Sequence, residues 1–372
     1  MELCVPKLLS MNINQVIDNN PIGKAHTPTS ALYRDSALYE SVKENIFCRY
    51  PFWIGHEVCF DGKNNLFPIN VYPGMLDEPL LLSKKESDFH MLSNVCTHRG
   101  AIIEKKNCSK NRIICPYHGR RWDLEGNFQF MPGFKEVENF PSDCDHLKKI
   151  ALYRYNSFLW GTLSDDNFKN LVPDSLFQKY MYFFPFDRLQ KAENFETEYA
   201  INCNWALYCE NYLEGFHIPF VHPDLNQALS NEVYPVICDK EWILQIGMAE
   251  GNTNCFDLPK GHLDYGSRVG AYYFYLFPST MLNFYPWGLS VNQILPQGID
   301  SVMVKYQTYV LPGAKLANSA GAGLDKVELE DQEVVMRVQK GIGSRNYTRG
   351  RYSPKHEKGV YHFHQLISRA LL

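Results

Sequence analysis

Two short segments of this chain each carry one cysteine and one histidine within four residues. The first contains Cys96 and His98 and the second contains Cys115 and His118, which gives the spacing C-x-H-x16-C-x2-H. A [2Fe–2S] cluster with two cysteines on one iron and two histidines on the other needs these four ligands. Neutral imidazoles in place of two thiolates raise the reduction potential of such a cluster. The pattern therefore predicts two tight loops that meet around an iron–sulfur cluster.

A structural zinc site is the main alternative, because it can also use two cysteines and two histidines. Zinc sites of that kind usually place both cysteines in one segment and both histidines in another. Here each segment mixes the two ligand types. This arrangement favours the cluster over zinc, and also over four residues with no common ligand.

Length, charge and cysteine usage narrow the class of protein. A chain of 372 residues is long enough for two domains. The net charge of −4 offers no basic face, so neither nucleic acid nor an anionic membrane is expected as a partner. The eleven cysteines form no disulfide-rich pattern and the N-terminus lacks a secretory signal. These features predict free thiols in a reducing, cytoplasmic compartment.

Residues 269–291 form the one segment that could be mistaken for a membrane span, because they are nearly free of charge. Pro278, Pro286 and Gly288 interrupt the segment, and many of its residues are Tyr or Phe. Aromatic residues favour strands, and proline confines strands to short runs. We therefore predict two buried strands here and no helix that crosses a membrane.

The pattern of apolar residues changes near residue 51 and again near residue 164. Residues 1–29 are polar and are expected to form an arm, and helical spacing follows up to residue 50. Short apolar segments separated by turn residues then predict a small all-β domain that carries the cluster loops. Its expected strands are EVCF, LFPINVY, PLLLS, FHMLSNV and FLWGTLS.

The remainder of the chain alternates strands and helices. Helices are expected near 204–216 and 325–340, and strands near 271–294 and 302–311. The fold class is therefore α+β, with a small cluster domain and a larger domain behind it. The predicted division is 1–50 for the arm and helix, 51–164 for the cluster domain and 165–372 for the larger domain.

A second set of possible metal ligands lies in the segment NWALYCENYLEGFHIPFVHPDL. We expect a helix that ends near Pro219, with Glu214 and His217 one turn apart on one face and His222 folded back after the break. Two histidines and a carboxylate form the facial triad that binds Fe(II) in non-haem oxygenases. Two histidines near a helix end are also common in ordinary packing, so the pattern gains weight only beside the cluster.

Helical periodicity selects the carboxylate that completes the triad. In the helix near 325–340, Asp331 shares a face with Val327, Val334, Val335 and Val338. Glu330 falls on the face expected to meet solvent. A buried carboxylate is costly unless it is paired or bound to a metal, so Asp331 is the candidate ligand, and a capping role for it is the alternative. Glu214 is interpreted as a group that orients a ligand histidine and links the iron to the cluster.

These motifs together resemble the α subunits of Rieske non-haem iron oxygenases over nearly the whole chain. The resemblance implies that the larger domain is a helix-grip sheet around a pocket and that the enzyme uses O₂ to hydroxylate or demethylate a substrate. The cluster ligands would be Cys96, His98, Cys115 and His118, and the iron ligands would be His217, His222 and Asp331. Asn211 and Glu214 would act beside the iron. The resemblance also implies a homotrimer in which electrons pass from one subunit's cluster to the next subunit's iron.

Within the family, the segments HGRRWDLEGNFQFMPGF and EDQEVVMRVQKGIGSRNYTRGRYSPKHEKGVYHFHQLI resemble the branch that oxidises choline, glycine betaine and carnitine. Many family members have Trp where this chain has Arg120, and Glu214 stands where the family commonly has Asp. Aromatic faces attract methylated ammonium groups. Candidate pocket residues are Tyr208, Tyr212, Tyr272, Tyr285 and Trp287, although aromatic residues on strands more often belong to a core.

Two other functions stay open at this point. An aromatic-ring dioxygenase would use the same fold and an equally apolar pocket. An electron-transfer Rieske protein is disfavoured, because about 200 residues beyond the cluster domain would lack a purpose and no anchor is evident. The chain contains no G-x-G-x-x-G fingerprint for a nucleotide, so electrons from NAD(P)H are expected through a separate flavin or iron–sulfur reductase.

Overall fold

The chain folds into two compact units, Pro51–Asn170 and Met1–Tyr50 with Leu171–Leu372. The computed structural model describes residues 12–164, 176–192, 195–222, 235–251, 253–314 and 324–372. The first boundary falls between Tyr50 and Pro51. The second falls among residues 165–175, which lie outside the described residues, as does the predicted boundary at 164–165.

The unit that begins at Pro51 is built from two antiparallel sheets. The larger sheet has six strands in the order β1-β9-β8-β4-β3-β2, and the smaller has three in the order β5-β6-β7. The strands are β1 Phe52–His56, β2 Leu66–Val71, β3 Glu78–Lys85, β4 Asp88–Ser93, β5 Ile113–Ile114, β6 Arg121–Trp122, β7 Phe128–Phe130, β8 Lys149–Tyr155 and β9 Phe158–Thr162.

The expected small all-β domain is confirmed, with one local error. The segment Glu57–Phe60 forms a 3₁₀ turn instead of a strand. His56 causes this change, because its Nδ1 accepts a hydrogen bond from the backbone N–H of Val58 at 3.1 Å and starts the turn. The strand lies just before it, at Phe52–His56, and pairs with β9.

The other unit contains one antiparallel sheet of eight strands. Seven strands follow the order β10-β17-β16-β15-β14-β13-β12, and β11 also pairs with β17. The strands are β10 Gln190–Lys191, β11 Thr197–Ile201, β12 Val236–Asp239, β13 Trp242–Met248, β14 Val269–Leu276, β15 Thr280–Tyr285, β16 Gly288–Gly298 and β17 Ser301–Val310. The segment 269–291 therefore contributes to three strands, whereas two were predicted. Short turns after Leu276 and Tyr285 fold it into two successive hairpins.

The described part of this unit also contains helices, and two of them are shown in contact with the sheet. The helices are α1 Ile13–Val16, α2 Ala31–Arg34, α3 Ser36–Val42, α4 Leu176–Met181, α5 Trp205–Tyr212, α6 Ile218–Val221, α7 Leu324–Gly341 and α8 Lys358–Leu371. Helix α5 contacts both α7 and β16, and α8 contacts β12. A π-helical turn, Lys43–Phe47, continues α3, and its Phe47 packs edge to face on Trp205 of α5 at 5.0 Å between ring centroids. The predicted α+β class, with helices held against an antiparallel sheet, is confirmed.

No helix among the described residues is both long enough and apolar enough to span a lipid bilayer.

Gly288 allows the hairpin between β15 and β16 to close. Its φ is +153°, and a Cβ added there would lie 2.1 Å from the carbonyl oxygen of Tyr309. We expect Gly288→Ala to lower the free energy of unfolding by about 3 kcal/mol, because backbone strain and the clash add. Chemical denaturation followed by circular dichroism measures the change. Gly341→Ala is the control, since a Cβ at Gly341 meets nothing within 4 Å, and equal losses in the two variants would contradict the argument.

Candidate functional site

The two cysteine–histidine segments fold into matching turns. In the first, the backbone N–H of Gly100 donates to the carbonyl of Cys96 at 3.0 Å, and in the second Gly119 donates to Cys115 at 3.1 Å. Both glycines have positive φ, +69° and +72°, a conformation that glycine adopts without steric cost. The second turn joins β5 to β6. Each turn thus fixes a cysteine at its start and a histidine near its tip.

The four side chains of these turns converge. Cys96 and Cys115 are both buried, and the rings of His98 and His118 lie 4.9 Å apart between centroids. Burial raises the pKa of the Cys96 thiol, and the adjacent Cys115 thiol also contributes to this rise. The Nδ1 atom of His98 is buried and has no hydrogen-bond partner among the described residues. Two thiols and two imidazoles with an unused nitrogen fit a [2Fe–2S] cluster of mixed ligation.

Arg120 follows the second turn and is almost fully buried. Its Nη2 forms an ion pair with the carboxylate of Asp145, and its guanidinium lies 5.0 Å from the ring centroid of Phe128 and 5.6 Å from that of Phe140. A planar guanidinium can stack on aromatic rings and pair with a carboxylate at once. The arginine therefore fills an aromatic environment beside the second turn.

The second candidate site begins where α5 ends. The helix ends at Tyr212, not near Pro219 as predicted, and Pro219 lies in the first turn of the short helix α6. A proline fits there because the first turn of a helix leaves its N–H groups unpaired in any case. His217 is the N-cap of α6 and His222 is its C-cap. The two rings consequently lie edge to face, with 5.2 Å between their centroids.

Asp331 of α7 completes a group of three possible metal ligands. One ligand atom from each of His217, His222 and Asp331 lies within 4.8 Å of the others. The Oδ1 atom of Asp331 is 2.9 Å from Nε2 of His222 and 3.4 Å from Nε2 of His217. Two imidazole nitrogens and one carboxylate are the donors of the non-haem Fe(II) triad, so these residues could hold that metal.

The pKa values at this site follow from the same contacts. Burial would lower the pKa of His217, but hydrogen bonds to Asp331 and Glu214 outweigh it and raise that pKa to about 9. Burial would raise the pKa of Asp331, but the two histidines hold it below its usual value. These contacts thus favour an ionised Asp331 carboxylate beside a positive charge. A bound divalent cation would supply that positive charge.

Further side chains hold each of the three residues in place. The Nδ1 atom of His217 is 2.7 Å from Oε1 of Glu214, and Asn211 donates its Nδ2 hydrogen to Oδ1 of Asp331 at 2.7 Å. The Nδ1 atom of His222 is 2.7 Å from Oε2 of Glu330. The assignment of Glu330 to the solvent face was therefore wrong. Its side chain reaches sideways from α7 to His222, and periodicity alone could not reveal a partner from another helix.

The apolar face of α7 is also shorter than predicted. Val335 is buried, but Val338 is 42% exposed. The helix ends at Gly341. Gln339 of its last turn instead accepts a hydrogen bond from the backbone N–H of Asn204 at 2.9 Å. A polar contact thus replaces the apolar one expected there.

An aromatic group lies on the sheet near this site. Tyr285 and Trp287 stack with their ring centroids 5.0 Å apart, and Tyr273 packs edge to face on Tyr285 at 6.0 Å. Tyr212 of α5 donates its hydroxyl hydrogen to Oδ1 of Asn283 at 2.6 Å. Three of the five predicted pocket residues, Tyr212, Tyr285 and Trp287, are therefore close together. Tyr273 was missed, because the register of β14 against β15, which places Tyr273 opposite Asn283, cannot be read from either strand alone.

Tyr272 lies apart from this group. Its hydroxyl donates to the carboxylate of Asp264 at 2.8 Å, and its ring packs on Phe256 at 5.4 Å. Successive residues of a strand point to opposite faces of a sheet. Because Tyr273 shares a face with Tyr285, its neighbour Tyr272 points the other way.

Tyr208 belongs to a polar cluster between α5, α7 and the sheet. Its hydroxyl lies 2.8 Å from the hydroxyl of Tyr306 and 2.7 Å from Oε2 of Glu328. Tyr306 also donates to Glu328. Burial raises the pKa of Glu328 to about 7, and the neighbouring Asp331 contributes to the rise. Burial and the Glu328 carboxylate raise the pKa of both tyrosines.

A second buried polar network, which the sequence did not indicate, holds α5 from another side. Glu210 accepts a hydrogen bond from the hydroxyl of Tyr33 at 2.8 Å and lies 3.0 Å from Nε2 of His364. The Nδ1 atom of His364 is 2.6 Å from the hydroxyl of Tyr352. The network joins the N-terminal segment and α8 to α5, and so fixes the helix that leads into the histidine pair.

Comparison with protein families now identifies the class. Residues 186–372 match the model of the ring hydroxylating alpha subunit (catalytic domain), and residues 72–141 match that of the Rieske [2Fe-2S] domain. This chain belongs to the Rieske ring-hydroxylating α subunits. The predicted resemblance is confirmed, and the protein is an oxygenase component of this family.

Several curated proteins are similar over most of the chain. Choline monooxygenase of Arabidopsis thaliana is 27% identical over 368 residues, which cover 93% of this chain and 83% of the relative. The carnitine monooxygenase oxygenase subunit of Escherichia coli is 27% identical over 363 residues, covering 93% and 94%. Putrescine 2-hydroxylase of Ralstonia nicotianae is 26% identical over 376 residues, covering 92% and 95%.

Solved structures share the fold. The quaternary ammonium Rieske monooxygenase CntA in complex with L-carnitine superposes with a TM-score of 0.77 at 21% identity and covers 97% of both chains. Naphthalene 1,2-dioxygenase from Rhodococcus gives a TM-score of 0.72 at 15% identity and covers 93% of this chain and 94% of its own. The same architecture thus occurs in a structure with L-carnitine bound and in one with indole bound.

Proposed function

We propose that this α subunit hydroxylates or oxidatively demethylates a small quaternary ammonium compound such as choline, a betaine or carnitine. The observation that carries the proposal is the aromatic group of Tyr212, Tyr273, Tyr285 and Trp287 on the same side of the sheet as the histidine pair. Aromatic faces bind methylated ammonium groups through the ring quadrupole. Relatives named for choline and carnitine oxidation support the same substrate class.

In this proposal each turn of the small domain contributes two cluster ligands. Cys96 and Cys115 would bind one iron of the [2Fe–2S] cluster, and His98 and His118 would bind the other. Burial of both cysteines and the unpaired Nδ1 atom of His98 support this assignment. Such a cluster stores one electron, so a separate reductase must supply electrons from NAD(P)H.

The larger domain would hold Fe(II) through His217, His222 and Asp331, and this ion would supply the activation of O₂. Glu214 and Glu330 accept hydrogen bonds from the ring nitrogens that are not used for the metal. These contacts fix the tautomer and orientation of both imidazoles. Asn211 donates to Asp331 and restricts the carboxylate to one orientation.

We also propose that three copies assemble and that electrons cross between subunits, as the resemblance implies. Tyr117 beside His118 and Phe220 between the two iron-site histidines are 59% and 81% exposed. Large exposed aromatic side chains are typical of surfaces that contact another protein. A cytoplasmic location is part of the proposal, because the cysteines of the chain form no disulfide-rich pattern.

Cis-dihydroxylation of an aromatic ring is the competing activity. The likeness in fold to naphthalene 1,2-dioxygenase favours it, since stacked Tyr285 and Trp287 could also accept a flat hydrocarbon. The relatives of higher identity that are reported above point instead to amines and ammonium compounds.

Metal analysis followed by a turnover screen tests the proposal. Protein reconstituted with iron without oxygen should contain about three irons per chain and give a Rieske signal by EPR after reduction. Oxygen uptake is then measured with choline, glycine betaine, carnitine, putrescine and naphthalene. Turnover of an ammonium compound supports the proposal, whereas turnover of naphthalene alone would replace it with dihydroxylation. Two irons per chain would instead contradict the assignment of a mononuclear iron site.

A further inference from the structure

Glu328 stands out because none of the contacts described for it requires a carboxyl group. It lies on α7 one helical turn before Asp331, and its partners are the hydroxyl groups of Tyr208 and Tyr306. Among the side chains that the structure describes, no lysine or arginine forms an ion pair with it. Glutamine would accept the same hydrogen bonds from two hydroxyl groups. Packing therefore accounts for an oxygen acceptor at this position but not for a carboxylate.

The surroundings of Glu328 make that charge costly. Tyr208 and Tyr306 are both buried, and an isolated carboxylate among buried groups is unfavourable unless a cation accompanies it. Three more carboxylates lie nearby, namely Asp331, Glu214 on His217 and Glu330 on His222. Burial and the nearby Asp331 carboxylate hold the pKa of Glu328 at about 7, so a cation beside Glu328 would favour its ionised form.

The position of Glu328 relates this charge to the aromatic group. Tyr306, which donates to Glu328, lies opposite Asn292 of β16, and Asn292 lies opposite Met281, two residues before Asn283 on β15. Glu328 therefore lies over the same face of the sheet as Asn283, the partner of Tyr212, and as Tyr285, which is stacked on Trp287. A cation held against these rings would therefore have a carboxylate as its neighbour. Ring faces alone also bind neutral apolar groups, whereas a carboxylate discriminates by charge.

We propose that Glu328 determines specificity for a positively charged substrate, by pairing with an ammonium group that the aromatic group of Tyr212, Tyr273, Tyr285 and Trp287 holds. The inference rests on the proposed function in that it requires a cationic substrate. It adds the residue that rejects neutral compounds of the same shape. Glu328 would also bind ammonium groups that carry N–H bonds, because a carboxylate accepts hydrogen bonds that an aromatic ring accepts only weakly.

A pair of ligands that differ only in charge tests this role. Choline, glycine betaine and carnitine are titrated calorimetrically into iron-loaded protein without oxygen, together with the carbon isostere of each, in which a quaternary carbon replaces nitrogen. Wild-type protein should bind the best cation at least about tenfold more tightly than its isostere. Glu328→Gln should reduce that ratio to below about threefold, mainly by lowering the affinity for the cation. Glu328→Asp, which keeps the charge, should restore part of the ratio.

Glu333→Gln is the matched control. It removes the same charge from the same helix, but Glu333 is exposed and its ion pair is with Arg337, so the ratio should stay at the wild-type value. The EPR spectrum and iron content of each variant report whether it has folded. A Glu328→Gln protein that folds and keeps the wild-type ratio would overturn the role of Glu328 while leaving the ammonium substrate intact. A wild-type protein that binds no cation, or prefers the isosteres, would overturn both proposals.

Discussion

The Asp331→Ala variant should lose the mononuclear iron and keep the cluster. Asp331 places one oxygen within 3.4 Å of both ligand nitrogens, 2.9 Å from His222 and 3.4 Å from His217, and two imidazoles alone bind Fe(II) weakly in an open site. The iron content should therefore fall from about three to about two per chain. Turnover should fall at least about 10³-fold, which corresponds to about 4 kcal/mol of lost transition-state stabilisation.

Three readouts separate this outcome from general damage. The visible and EPR spectra of the cluster should match wild type, because its candidate ligands belong to the other compact unit of the chain. Glu333→Ala on the same helix should keep three irons and full turnover. Glu333 is exposed, and its described contact is the ion pair with the exposed Arg337. Asp331→Asn keeps the shape and the contact with Asn211 but loses the charge. Loss of the cluster spectrum in Asp331→Ala would contradict separate sites, and wild-type iron content would exclude Asp331 as a ligand.

The cluster turns and the iron ligands could be predicted from sequence because their geometry is local. The spacing between Cys115 and His118 defines one turn, and Gly119 at its end adopts the positive φ that closes it. Asp331 could be identified because a single carboxylate interrupts a helical row of valines. Such signals depend only on the residue spacing within one element. That spacing does not depend on which other elements pack against it.

Contacts between elements could not be predicted in this way. Glu330 was assigned to solvent because its helix neighbours are charged, yet a histidine at the end of another helix reaches it at 2.7 Å. Tyr272 and Tyr273 are equally aromatic, and only the register of β14 against β15, in which Tyr273 faces Asn283 and Tyr272 faces Phe284, decides which one joins Tyr285. A shift of one residue in that register exchanges the two faces. The role of Glu328 depends on Tyr208 and Tyr306, which are 98 residues apart in sequence.

Replacement of Glu214 by alanine should slow electron transfer to the iron site without removing either metal. Glu214 accepts backbone hydrogen bonds from Phe216 and from His217, the latter at 3.2 Å, and this leaves its other oxygen 2.7 Å from Nδ1 of His217. Because Nδ1 is held there, Nε2 of the ring faces Asp331. Without the carboxylate the His217 ring can rotate and change tautomer. Loss of such a partner typically lowers metal affinity or activity 10- to 100-fold. Reoxidation of the reduced cluster, measured by stopped flow in a single turnover with excess Fe(II), should slow by about that factor.

Glu214→Gln keeps an oxygen for the two backbone N–H groups and should retain the turn, so a similar slowing in both variants assigns the effect to the carboxylate charge. A normal rate in Glu214→Ala at full iron occupancy would mean that His217 needs no such partner and that electrons reach the iron site by a route that bypasses Glu214.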